Sequence, residues 1–201
     1  MTGVPSRAKR QAILDAATAA FLRHGYAASV DDIAAAAGVG KQTVYRHFGD
    51  KQALFLAALA AARVAGGSPP KAVPEETGDP AKDLSRIGEQ ILSVALSPTV
   101  AALHRLTVAE VANHPELNGH WGDTAAPQLD ENLAGYLRRC HAAGVLDVPD
   151  PARTARQFAY LLMTEGRVAS GYGTKPLTAE RRRTIAAETA DLVVRAHRPA
   201  G

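Results

Sequence analysis

The chain has 201 residues, 46% of them hydrophobic and 21% charged, with a formal net charge of +3. That length can bury a core, and the balance is that of a globular protein rather than a disordered one. A single cysteine, Cys140, excludes an intramolecular disulfide framework; no apolar run approaches bilayer length and the N-terminus lacks a signal-peptide core, so a cytoplasmic location with no membrane partner is expected. The charge is unevenly placed. Residues 1–65 carry eight Lys/Arg against four Asp/Glu, and the rest of the chain fifteen against sixteen. A polyanion partner requires such an excess at one end.

In chain order, the first helix is expected over residues 6–24, with Ile13, Leu14, Ala17 and Phe21 on its apolar stripe and Gly25 ending it. Arg7, Lys9 and Arg10 oppose the dipole of that helix, which a nearby phosphate backbone would explain and a merely solvated start would not require. Residues 29–51, SVDDIAAAAGVGKQTVYRHFGDK, organise the chain. Val30, Ile33, Ala34 and Ala37 recur at helical spacing, Ser29 stands where a cap belongs, and Asp31 and Asp32 suit a helix N-terminus. Gly38 supplies a tight turn and Val39 plugs it into the core. A second short helix over 41–48 turns Val44 and Phe48 inward and leaves Lys41, Gln42, Thr43, Tyr45, Arg46 and His47 facing outward or along the boundary. That set is cationic and rich in hydrogen-bonding groups, as phosphate contact and base-edge reading demand.

A helix over 50–65, capped by Asp50, buries Leu54, Phe55, Ala58, Leu59 and Ala62. Four prolines and three glycines make 66–80 a surface loop. The remainder reads as helix throughout. The first of these spans 83–97, with Leu84, Ile87, Ile91, Leu92, Val94 and Ala95 inward. Pro98 opens the next, burying Val100, Leu103, Leu106, Thr107 and Val111. A longer helix runs from Pro115 to Gly144 through Leu117, Trp121, Leu129, Leu133, Tyr136, Leu137 and Cys140, with a bend near Gly122 or Pro127. Val145-Leu146 ties down the chain after it. Asp150-Pro151 starts a helix burying Ala155, Phe158, Ala159, Leu162, Met163, Val168 and Ala169. Thr178 caps the last helix, which buries Ile185, Thr189, Leu192, Val193 and Ala196. No strand pattern is visible, so the fold class is all-α.

Other chemistry is weakly signalled. Glu110, His114, Glu116 and His120 cluster in sequence, but Pro115 breaks the helix between them and no cysteine pair or HxxxH supports a metal. No G-x-S-x-G element accompanies the seven histidines, so no catalytic residue and no cofactor is expected. Cys140 reads as a small packed residue.

The run IAxxAGV…TVYRHFxxKxxLF, with Ile33, Ala34, Ala37, Gly38, Val39, Thr43, Val44, Tyr45, His47, Phe48, Lys51, Leu54 and Phe55 in register, resembles the DNA-binding domain of TetR-family transcriptional regulators. LHRLTVAEVANHPEL, LAGYLRRCHAAGVLDVPDP and ARQFAYLL are similar to the C-terminal domain of the AefR-like branch. The resemblance implies a three-helix helix-turn-helix domain over 1–50, a connecting helix over 50–65, and a helical ligand-binding and dimerisation domain over 66–201. It implies a ligand-responsive DNA-binding regulator, most simply a repressor, rather than an enzyme or an interaction module with an incidental basic head. Its partners would be a palindromic double-stranded operator, an apolar or aromatic small molecule, and a second copy of the chain.

Carried over residue by residue, the resemblance puts Ser29, Thr43, Tyr45 and Lys51 at phosphates and Lys41, Gln42 and His47 at the groove. It assigns the ligand pocket to the middle helices, with Leu103, Leu106, Glu110, Trp121, Tyr136 and Met163 as lining candidates. It assigns the dimer interface to the last two helices, with Phe158, Leu162, Gly166, Ala169, Ile185, Leu192 and Val193.

Overall fold

The computed structural model describes residues 3–65, 76–115 and 127–199. Among these are nine α-helices: α1 (Gly3–His24), α2 (Val30–Ala36), α3 (Lys41–Phe48), α4 (Lys51–Ala65), α5 (Pro80–Ala95), α6 (Pro98–Glu110), α7 (Pro127–Ala142), α8 (Pro151–Ala169) and α9 (Ala179–Ala196). A single 3-10 turn, Gly25–Ala27, follows α1, and no strand is present among the described residues. No single described helix is long and apolar enough to cross a membrane.

Side-chain caps set several of the helix starts. Asp79 Oδ1 accepts from the amides of Ala81 and Lys82 ahead of Pro80, so α5 starts earlier than the apolar stripe from Leu84 suggests. Asp150 and Thr178 do the same for α8 and α9, accepting from Arg153 N at 2.9 Å and Arg181 N at 3.1 Å. Asp50 caps α4 by accepting from Ala53 N at 2.7 Å. The long helix expected from Pro115 is described only from Pro127; Leu117, Trp121 and the bend near Gly122 lie outside the described residues, as does most of the loop over 66–80.

The described residues fall into two compact units, 3–65 with 102–115, and 76–101 with 127–199. In the first, Ile13, Ala17 and Phe21 of α1, Ile33 of α2, Val44 of α3, and Leu54, Phe55 and Ala58 of α4 form the core. Phe55 meets the edge of Phe21 at 5.0 Å and of Tyr26 at 5.4 Å between centroids. Edge-to-face pairs of this kind add about 0.5–1.5 kcal/mol beyond the area they bury.

The second unit closes around α5. Leu84, Ile87, Ile91 and Leu92 pack with Leu133 and Leu137 of α7, Phe158 and Leu162 of α8, and Ile185 and Val193 of α9. Gly88 makes the close approach of α5 possible: a Cβ there would stand 3.1 Å from Ala186 Cβ and 3.3 Å from Leu162 Cδ1. Inside the core Tyr136 donates to Asp83 Oδ2 at 3.0 Å, and Thr77 donates to the same carboxylate through its amide and, at 2.8 Å, its hydroxyl. Three donors offset the cost of burying Asp83. Burial raises the pKa of the Tyr136 phenol far above its usual range and, as the largest cause, that of the neighbouring Cys140 thiol as well.

Several stripe residues point the other way from expectation. Leu192, Val168 and Ala169 are exposed, as are Ala196 and Val145, while Leu146 and Val148 perform the tie-down after α7. A helix with neighbours on one side only has room for one buried face, and these residues flank it.

Candidate nucleic-acid interface

The helix-turn-helix is built by local rules. Ser29 Oγ accepts from Asp31 N at 3.1 Å and starts α2. The helix ends with Gly38 at φ +65°, where Gly38 N donates to Ala35 O at 3.1 Å and Val39 N to Ala34 O at 3.0 Å. This nested pair satisfies the last carbonyls of α2 and needs a left-handed residue, which glycine supplies without strain. Gly40 then precedes α3, its carbonyl accepting from Thr43 N at 2.8 Å.

Val44 and Phe48 are buried, and this fixes the rotation of α3. Lys41, Gln42, Tyr45 and Arg46 are exposed, while Thr43 and His47 are half-buried along its flanks. Lys41 Nζ reaches Asp31 Oδ2 on α2 at 2.8 Å, and that hydrogen bond raises the lysine's proton affinity. Arg46 donates from Nη2 to Thr43 Oγ1 at 3.1 Å. On α1, exposed Arg10 stacks its guanidinium over the Phe48 ring, 5.0 Å from the centroid. The result is one helix face, short and cationic, with amide, phenol and guanidinium groups turned to solvent.

Lys51 is placed differently. It opens α4, half-buried, with Nζ 5.0 Å above the centroid of Tyr26. Burial lowers its proton affinity and Glu110 pulls it back up. Its partnership with Tyr26 leaves no trace in the sequence, since the two are brought together only by the turn after α1.

The family models settle what this face belongs to. Residues 13–58 match the bacterial regulatory proteins of the tetR family, and residues 82–199 match the C-terminal domain of AefR-like transcriptional repressors. The chain belongs to the TetR family. It is a ligand-responsive DNA-binding transcriptional regulator, not an enzyme.

Solved TetR-family structures share the whole fold. The flavonoid-responsive regulator FrrA is 27% identical with a TM-score of 0.77, the match covering 96% of this chain and 98% of that one. A structure from Mesorhizobium loti assigned to the family is 24% identical over the same shares, also at 0.77. A TetR-family regulator from Pseudomonas syringae is 24% identical at 0.69, covering 98% of each chain. A comparison with curated protein sequences finds no match.

The ligand-pocket candidates divide between the two units. Leu103 is fully buried and Leu106 and Glu110 half-buried in the first unit. In the second, Tyr136 is engaged with Asp83 in the core, and half-buried Met163 receives Arg167 Nη2 at 4.0 Å. Trp121 lies outside the described residues.

Of the seven interface candidates, Phe158, Leu162, Gly166, Ile185 and Val193 are inside the chain's own core, and only Ala169 and Leu192 are exposed. Tyr160 and Leu161, which are not among the candidates, are 59% and 48% exposed. With Thr164, Leu192 and Ala196 they line an open groove of about 610 Å³ along α8 and α9. Large apolar side chains at helix positions left outside the stripe are the signal that could have found it.

Proposed function

We propose that this TetR-family regulator binds a palindromic operator as a homodimer, one α3 per half-site, and releases it on binding a small apolar or aromatic molecule. In this reading residues 1–50 read DNA, α4 connects, and 66–201 hold the ligand and the partner copy. The observation that carries this is the rotation of α3. With Val44 and Phe48 buried, Gln42, Tyr45 and Arg46 share the solvent side with Lys41. Gln42 and Arg46 carry the bidentate groups that suit adenine and guanine edges. Thr43, Tyr45, Ser29 and Lys51 carry the donors that suit phosphates, and the first amides of α4 favour the same anion. His47 completes the flank.

For the partner copy, the groove between exposed Tyr160, Leu161 and Leu192 supports a self-complementary face on α8 and α9. Pairing two heads there places two half-sites about one helical turn or a multiple apart. For the effector, the likeness to a flavonoid-responsive regulator supports planar aromatic compounds as the first class to try. The test is a mobility-shift assay on DNA flanking the regulator's own gene, repeated with a panel of flavonoids and other small aromatics. A retarded band dissolved by one compound class supports the proposal. A band that no compound alters would leave a constitutive binder, and no band at all would count against an operator in that flanking DNA.

A further inference from the structure

Three contacts converge on the turn between α1 and α2. Lys51 Nζ lies over the Tyr26 ring at 5.0 Å, and the same ring lies 4.5 Å from that of His114. One residue earlier, at Gly25, a Cβ would stand 3.4 Å from Glu110 Oε1 and 3.6 Å from Leu106 Cδ1. Glu110 and His114 are joined by a backbone bond, His114 N to Glu110 O at 2.8 Å. The end of α6 therefore lies against the Gly25–Ala27 turn, and Lys51 is held at that turn from the start of α4.

An ammonium on a flexible stem has one position at a time. Folded back over an aromatic face, with a half-buried carboxylate close by, Lys51 is drawn away from any phosphate at the DNA surface. We infer that Glu110 is a positioning residue for DNA binding: with Tyr26 it holds Lys51 on the Gly25–Ala27 turn in competition with an operator phosphate, so the end of α6 sets how available that lysine is to DNA. The inference rests on the proposed phosphate contact of Lys51. Electrostatics agree in sign, since Glu110 favours the charged lysine against the burial that disfavours it.

The test is a double-mutant cycle on a random-sequence duplex, read by fluorescence anisotropy over a salt series, with circular dichroism to confirm the fold. Glu110→Gln should tighten binding about two- to fivefold, the range of a partly screened charge–charge attraction. Lys51→Gln should weaken binding and reduce the salt slope by about one. Adding Glu110→Gln to Lys51→Gln should change nothing, because the held group is gone. Glu110→Ala serves if the glutamine variant does not fold. Equal tightening in both backgrounds would overturn the inference in favour of a general charge effect. Weakening by Lys51→Gln with no response to Glu110→Gln would overturn it while leaving the phosphate contact standing. An unchanged slope in Lys51→Gln would remove the phosphate contact itself.

Discussion

Lys41 Nζ lies 2.8 Å from Asp31 Oδ2, tying the first residue of α3 to the first turn of α2. Both groups are exposed, so the pair sets geometry and charge more than stability. Asp31 is an anion beside a surface meant for anions. Replacing it with Asn should free Lys41 and strengthen non-specific DNA binding at low salt, with the gain fading as salt rises. Lys41→Ala should weaken binding and lower the salt slope by about one. Anisotropy titrations across a salt series read both; weaker binding in Asp31→Asn would mean the pair orients α3 rather than competing with DNA.

Gly38 tests the turn. A Cβ there would meet nothing within 4 Å, so Gly38→Ala carries only the backbone cost of φ +65°. That is about 1–2 kcal/mol, read by urea denaturation. The turn sets the angle between α2 and α3, so operator affinity should fall by more than affinity for random DNA. An equal fall in both would show that α3 keeps its place without the turn.

The groove on α8 and α9 separates assembly from folding. Leu192→Arg with Leu161→Arg should give a folded monomer by light scattering, since both side chains are already exposed in one chain. Phe158→Ala should instead lower stability by about 3–5 kcal/mol, because Phe158 fills the core of the single chain. A dimer that survives both arginines would move the interface elsewhere.

Tyr136→Phe removes one of the donors to buried Asp83 and should cost about 1–3 kcal/mol without altering DNA affinity in the folded protein. The pH dependence has a definite sign. Burial raises the proton affinity of Cys140 and Tyr136 in the folded state, so unfolded chains lose those protons first. Their contribution is fully present below the unfolded values, about 8.5 for the thiol and about 10 for the phenol, and is lost progressively as pH rises above them. Urea midpoints should therefore fall over that range, and less steeply in Cys140→Ala.

What the sequence disclosed follows from what is local. Ser29, Gly38, Asp50 and Thr178 act on amides within a few residues, and their helices begin or end where those residue types demand. Val44 and Phe48 fix the reading face by spacing alone. Contacts between distant residues were not legible. Tyr136 meets Asp83 across 53 positions, and nothing in either stretch marks the pair. Lys51 carries the same charge whether it faces solvent or Tyr26. On α8 and α9 the apolar residues occupy two faces, one for the chain's own core and one turned outward, and a list of apolar positions cannot divide them.

The most direct measurement is selection of duplexes from a random pool by the wild-type protein, followed by titration of the selected duplex with Gln42→Ala/Tyr45→Ala. Both side chains are exposed, so the variant should keep its helical circular dichroism and its melting temperature. The prediction is a palindromic selected site, wild-type preference for it over random DNA, and binding of that site weakened about 100-fold in the variant, as one base and one phosphate contact at about 1–3 kcal/mol each would give, with the preference reduced by the share that Gln42 carries. A folded variant that binds the selected duplex as tightly as wild type would contradict the assignment of α3 as the reading helix.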